Sequence, residues 1–186
     1  MPGSFKQDPQ FPITDGTLIL GRRPRCAIKV GLVTSEWAVL EERFLTLFAI
    51  ITSKVERSSA GTLSFRDNPL AREIVASLES ASVKQGIVRT QCKKNMSTFV
   101  PQLDVAIKAL RKAAKGRNRT VHWLWGITEQ FPEDVILCQS DGSVERYREA
   151  DFDAIIGDIH HATTLVLNLY YACEDFLAQQ GEGPTE

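Results

Sequence analysis

Residues 34–55, TSEWAVLEERFLTLFAIITSKV, decide the fold class. Trp37, Leu40, Phe44, Leu47, Phe48, Ile51 and Val55 recur at three- and four-residue steps, the apolar stripe of an amphipathic helix. Thr34 or Ser35 is placed to cap it, and Glu36, Glu41 and Glu42 suit its early turns. Downstream, Asp67-Asn68-Pro69 predicts a second helix start, with Leu70, Ile74, Val75 and Leu78 as its buried face. Val83, Ile87, Cys92, Met96 and Phe99 predict a third helix, which Pro101 ends or kinks. Leu103, Ile107, Leu110 and Ala114 carry the spacing on to Gly116, read as a break just before Arg117.

After Trp125 the period changes from 3.6 to 2. Val135 and Leu137, a Ser140-Asp141-Gly142-Ser143 turn, then Val144 and Tyr147 predict a β-hairpin at about 134–148. Asp151 is placed to cap a long last helix carrying Phe152, Ile155, Ile156, Ile159, Thr163, Val166, Tyr170, Cys173 and Phe176. Pro2, Pro9, Pro12 and Pro24, with an extended Thr17–Leu20 run, predict an irregular N-terminal arm over 1–30. The expected architecture is all-α: a helical bundle over 31–180, a small hairpin inserted before the last helix, and a polar tail over 181–186.

At 186 residues, 43% hydrophobic and 24% charged, the chain has the composition of a globular domain, neither disordered nor fibrous. Its apolar stretches are broken by charge too early for a membrane span, and Met1–Gln10 lacks the apolar run of a signal peptide. Cys26, Cys92, Cys138 and Cys173 stand singly, without CxxC or Cys/His ligand spacing, so a reduced, cytoplasmic setting without zinc is expected. The formal net charge of −1 conceals an asymmetry. Residues 1–128 carry 20 Lys/Arg against 10 Asp/Glu, and residues 129–186 carry 2 against 13. The densest basic segment is Lys108, Arg111, Lys112, Lys115, Arg117 and Arg119, with no acid between Asp104 and Glu129. Six cations in that span suit contacts to a phosphate backbone. The competing reading is a solvated helix face docked on the acidic last third of the chain.

Chemistry concentrates in Arg117-Asn118-Arg119-Thr120-Val121-His122. On a helix, Asn118 and His122 lie four residues apart on one stripe, and Arg117 converges on them. Gly116 would expose helix N-terminal amides, which suit an anion. Such a trio supports phosphodiester cleavage without a metal. Imidazole accepts the RNA 2′-OH proton near neutrality. The planar guanidinium binds two phosphate oxygens as charge builds. The amide orients the ring or bonds a phosphate or sugar oxygen.

This segment, read as the start of a helix in a bundle, resembles the R-x(4–6)-H motif of the HEPN superfamily, with Asn118 at the polar position after the Arg. With 13 Arg, 3 His and 4 Asn in the chain, composition alone yields the Arg–His spacing about 0.2 times and the full pattern about 0.005 times. Allowing His or Asp at the middle place, or other spacings, raises this several-fold. The resemblance implies a HEPN-like bundle acting as a homodimeric, metal-independent endoribonuclease. Arg117 and His122 would be catalytic, Asn118 supporting, and no cofactor needed. Lys108, Arg111, Lys112, Lys115 and Arg119 would guide RNA, and Glu41 or Glu42 is a candidate support for the motif. An antitoxin or other regulatory protein fits a toxin–antitoxin, defence or stress setting; no membrane partner is expected.

Alternatives remain. The chain could bind nucleic acid or nucleotide without cleaving it, or be a structural interaction bundle with Asn118 as a cap, Arg117 ion-paired and His122 packed by Trp125. Trp123 and Trp125 can stack a base, although a dimer interface is the favoured reading. His160 and His161 face different ways on a helix, so they are not expected to share a metal. P-loops, GxSxG elbows and HExxH helices are absent, which argues against NTPase, serine hydrolase and zinc protease chemistry.

Overall fold

In a computed structural model, residues 2–5, 10–16, 18–57, 63–66, 69–139 and 142–181 are described. The chain is mostly helical. In order it forms β1 (Gly3–Ser4), β2 (Thr14–Asp15), a 3-10 turn (Ile19–Arg22), α1 (Pro24–Thr52), β3 (Lys54–Arg57) and β4 (Leu63–Arg66). There follow α2 (Pro69–Ser77), α3 (Ala81–Asn95), a second 3-10 turn (Ser97–Phe99) and α4 (Val100–His122). The chain ends with β5 (Leu124–Ile127), β6 (Val135–Cys138), β7 (Val144–Tyr147) and α5 (Glu149–Gly181). Among the described residues, no helix is long and apolar enough to cross a membrane.

Two compact units divide the chain. The first comprises residues 1–38 and 111–160, the second 39–110 and 161–186. In the first unit, the expected hairpin is the centre of a five-stranded antiparallel sheet of order β1-β7-β6-β5-β2. The arm is not merely irregular: Thr14–Asp15 pairs with Gly126–Ile127, and Gly3–Ser4 pairs with Glu145–Arg146. The first addition covers the outer edge of β5 and the second the outer edge of β7. At the hairpin tip, Gly142 turns with φ +82° and its N–H donates to the Gln139 carbonyl at 3.1 Å. Trp125, Tyr147 and Phe152 pack ring to ring at 5.4–5.8 Å. Trp125 is therefore core, not the interface expected of it.

α1 begins ten residues before Thr34, with Pro24 in its first turn, where a missing N–H costs nothing. Buried Cys26 and Val33 extend the stripe upstream of Trp37. Thr34 and Ser35 are interior, their hydroxyls donating to the carbonyls of Val30 and Leu32 at 3.0 and 3.1 Å. α5 starts at Glu149, and Asp151 lies inside its first turn. The Asp151 carboxylate reaches back to accept the Arg148 N–H at 2.9 Å, the acidic half of a capping box.

In the second unit, α1 ends at Thr52. Lys54–Arg57 turns into a hairpin with Leu63–Arg66, Val55 opposite Phe65, instead of prolonging the helix to Val55. Ser80 caps α3, its hydroxyl accepting the Val83 N–H at 3.4 Å. Pro101 neither ends α3 nor kinks it: α3 stops at Asn95, and Pro101 sits in the first turn of α4. Leu40, Leu47, Ile51, Val75, Val88, Leu103, Val166 and Cys173 form this unit's core. The Asp67-Asn68 cap, Ser140-Asp141 and residues 182–186 lie outside the described residues.

Gly126 marks the tightest approach in the sheet. A Cβ there would meet Ile13 Cγ2 at 2.7 Å and the Thr14 carbonyl at 3.3 Å. Gly126→Ala is expected to destabilise by about 1–3 kcal/mol through overpacking. Exposed Gly31 within α1 has nothing within 4 Å of a Cβ, and Gly31→Ala should stabilise by about 0.5–1 kcal/mol. Urea unfolding of the two variants checks both signs.

Candidate active site

α4 carries the motif at its C-terminal end, not at a helix start as expected, because Gly116 does not break the helix. A Cβ on Gly116 would sit 3.0 Å from Ile155 Cγ1, so glycine serves here to let α4 and α5 approach. The end of α4 presents carbonyls rather than amides, an arrangement that favours the cation Arg119 in its last turn. Any anion bound here must be held by side chains.

Arg117, Asn118 and His122 do come together. Arg117 Nη1 donates to Asn118 Oδ1 at 3.1 Å and lies 3.4 Å from His122 Nε2. A guanidinium only donates, so His122 meets it through an unprotonated Nε2, with the ring proton on Nδ1. Asn118 and His122 are exposed, whereas Arg117 is half-buried.

The spacing explains that difference. Leu103, Ala106, Leu110, Ala113 and Thr120 are buried, and Arg117 falls on the same side of α4. Its guanidinium carbon lies 5.8 Å from the Trp37 ring centroid. Its Nε is buried without a hydrogen-bond partner among the described residues. Trp37 is thus the residue beneath the motif that the sequence presented only as one more member of an apolar stripe. Its neighbour Glu36 pairs with His160 at 3.1 Å, so that imidazole faces a carboxylate on α1.

The cations expected to guide RNA do not all lie in one row. Lys108, Arg111 and Lys115 follow at alternating three- and four-residue steps with Asn118 and His122, and all five are exposed. Lys112 turns instead to Asp158 at 2.7 Å, and Arg119 to Glu145 at 3.6 Å and over the Trp123 ring at 5.8 Å. Here the competing reading, basic helix against acidic last third, is what the geometry gives. Glu42 pairs with Arg72, and Glu41 is exposed on α1.

Other chemistries find less support. The four cysteines are free, and burial pushes their thiols up, Cys26 to about 11 and Cys173 to about 12. None is a thiolate nucleophile at neutral pH. Among the described residues, no group of three or more His, Cys, Asp or Glu side chains is gathered to hold a metal. No family model matches the chain, nor does any curated protein or solved structure. The reading of this site rests on its residues.

Behind the end of α4 lies Tyr147. Burial pushes its phenol up to about 12; the Glu145 carboxylate adds to this, and Arg119 opposes it. The folded chain therefore keeps the phenol neutral where an unfolded one ionises near 10. That contribution is complete below pH 10 and is lost as pH rises towards 12. Denaturant unfolding across this window should show a shallower loss for Tyr147→Phe than for wild type. Equal slopes would contradict the assignment.

Proposed function

We propose that the chain is a metal-independent endoribonuclease of HEPN type, with Arg117, Asn118 and His122 as its reactive group. The observation that carries the reading is the placement of Arg117. A cation on the buried side of α4, with an unpaired Nε and an Nη1 shared between an amide and an imidazole, is costly for packing. Its cost is accounted for if the guanidinium is aimed at an anion.

In the reaction, His122 Nε2 takes the proton of a ribose 2′-OH, and the 2′-oxygen attacks the adjacent phosphorus. The P–O5′ bond breaks as Arg117 neutralises the charge growing on the non-bridging oxygens. Asn118 holds the guanidinium in place. The products are a 2′,3′-cyclic phosphate and a 5′-OH end, the departing oxygen gaining a proton from water or from His122 of a second copy. The exposed row of Lys108, Arg111 and Lys115 leads the RNA backbone along α4 to His122. Dimerisation, with two motifs on one RNA, belongs to the same proposal, as do a regulatory partner and a cytoplasmic setting. That exposed row equally favours a second reading, an RNA-binding module without cleavage.

The test is an RNA cleavage assay in EDTA with wild type, His122→Ala and Arg117→Ala. Loss of imidazole should slow cleavage by about 10²–10⁴-fold. Loss of the guanidinium should cost about 10²–10³-fold. Binding without cleavage in all three proteins would favour the second reading. Undiminished cleavage in both variants would remove the activity from this site.

A further inference from the structure

Within the second unit, α1 and α5 border a cavity of 290 Å³ lined by Arg43, Thr46, Leu167, Tyr170, Tyr171 and Glu174. The sequence spacing builds it: Leu167, Tyr170, Tyr171 and Glu174 succeed one another around one side of α5, and Arg43 and Thr46 sit one turn apart on α1. Tyr171 is 56% exposed, and its ring stands edge-on to Tyr170 at 5.4 Å. Arg43 and Glu174 face the same cavity, yet neither has an ion-pair partner among the described residues. A cation, an anion and an exposed aromatic ring around one small cavity call for a ligand with a flat ring, donors and negative charge. The volume lies at the lower end of small-molecule sites, the size of one nucleotide.

We propose that this cavity binds a guanine nucleotide unit. The base stacks on Tyr171, Glu174 accepts from the base edge, and Arg43 holds the phosphate. The carboxylate selects the base. An ionised carboxylate only accepts, with two oxygens side by side. Guanine offers it two adjacent donors, N1–H and the N2 amino group. Adenine and cytosine place a ring-nitrogen acceptor beside their amino donor, and uracil sets one N–H between two carbonyls. Stacking on tyrosine is available to every base, so it supplies affinity without selection. A free guanine nucleotide and a guanosine within single-stranded RNA present this same chemistry. The site stands independently of any cleavage at Arg117 and His122.

The experiment is calorimetric titration of wild type, Tyr171→Ala and Glu174→Gln with GMP and AMP. A second arm uses uridine oligonucleotides with and without one guanosine, in a His122→Ala background so that no RNA is consumed. GMP should bind at least about tenfold more tightly than AMP, a difference of about 1.4 kcal/mol. Glu174→Gln should abolish that preference, because the amide places a donor beside its acceptor. Tyr171→Ala should weaken both nucleotides. Guanosine-dependent binding seen only with the oligonucleotide would support the site and assign its source to RNA. No guanine dependence in either arm, or a guanine preference unchanged in Glu174→Gln, would overturn it. Thermal melts of the variants separate lost binding from lost folding.

Discussion

Trp125, Tyr147 and Phe152 come from a strand that leaves the motif helix, a strand that leads into α5, and the first turns of α5 itself. Their rings meet at 5.4–5.8 Å, and each such pair contributes about 0.5–1.5 kcal/mol beyond the area it buries. The consequence for the site is positional. Trp125 follows His122 by three residues, so anchoring that indole fixes where α4 stops. The sheet around it ends on either side in a short piece of the N-terminal arm, so its edge strands are only two residues long.

Charge is organised as sharply as the apolar core. In the first unit, Arg25 pairs with Glu149, Lys29 with Asp153 and Glu36 with His160, a constant offset that runs α1 parallel to α5. Lys112–Asp158 and Arg119–Glu145 tie α4 to the same acidic stretch. The exposed pairs among these, such as Arg25–Glu149, add at most about 1 kcal/mol each, so their effect is on register more than on stability. They also explain the opposite charges of the two parts of the sequence. Part of the basic excess is paired internally, and Lys108 and Lys115 lie exposed on the side of α4 that ends at His122.

Arg117 sits at the meeting of these two patterns. By spacing it belongs with Ala113 and Thr120 on the packed side of α4, and by chemistry it belongs with Asn118 and His122 on the open side. A long side chain reconciles them: its guanidinium carbon lies over the Trp37 ring while its Nη1 reaches Asn118 and His122. A residue chosen for packing alone would be aliphatic at that place.

The sequence by itself determined the helices, because 3.6-residue periodicity is a local property: the stripes of α1, α4 and α5 and the β6–β7 hairpin can all be read from it. It also singled out Arg117, Asn118 and His122, since residues one turn apart on one helix meet whatever else the chain does. The tertiary structure alone decided where the helices begin and end and what the side chains meet. Pro24, Pro101 and Gly116 carry ambiguous local signals, and packing resolved them into two helix starts and a close approach. Two-residue strands such as Gly3–Ser4 have no period to detect and exist only because a sheet edge accepts them. The pairing of Lys112 with Asp158 and of Arg119 with Glu145, and the ring of Trp37 beneath Arg117, depend on which elements lie side by side. Those contacts join residues far apart in sequence, and no local pattern encodes them.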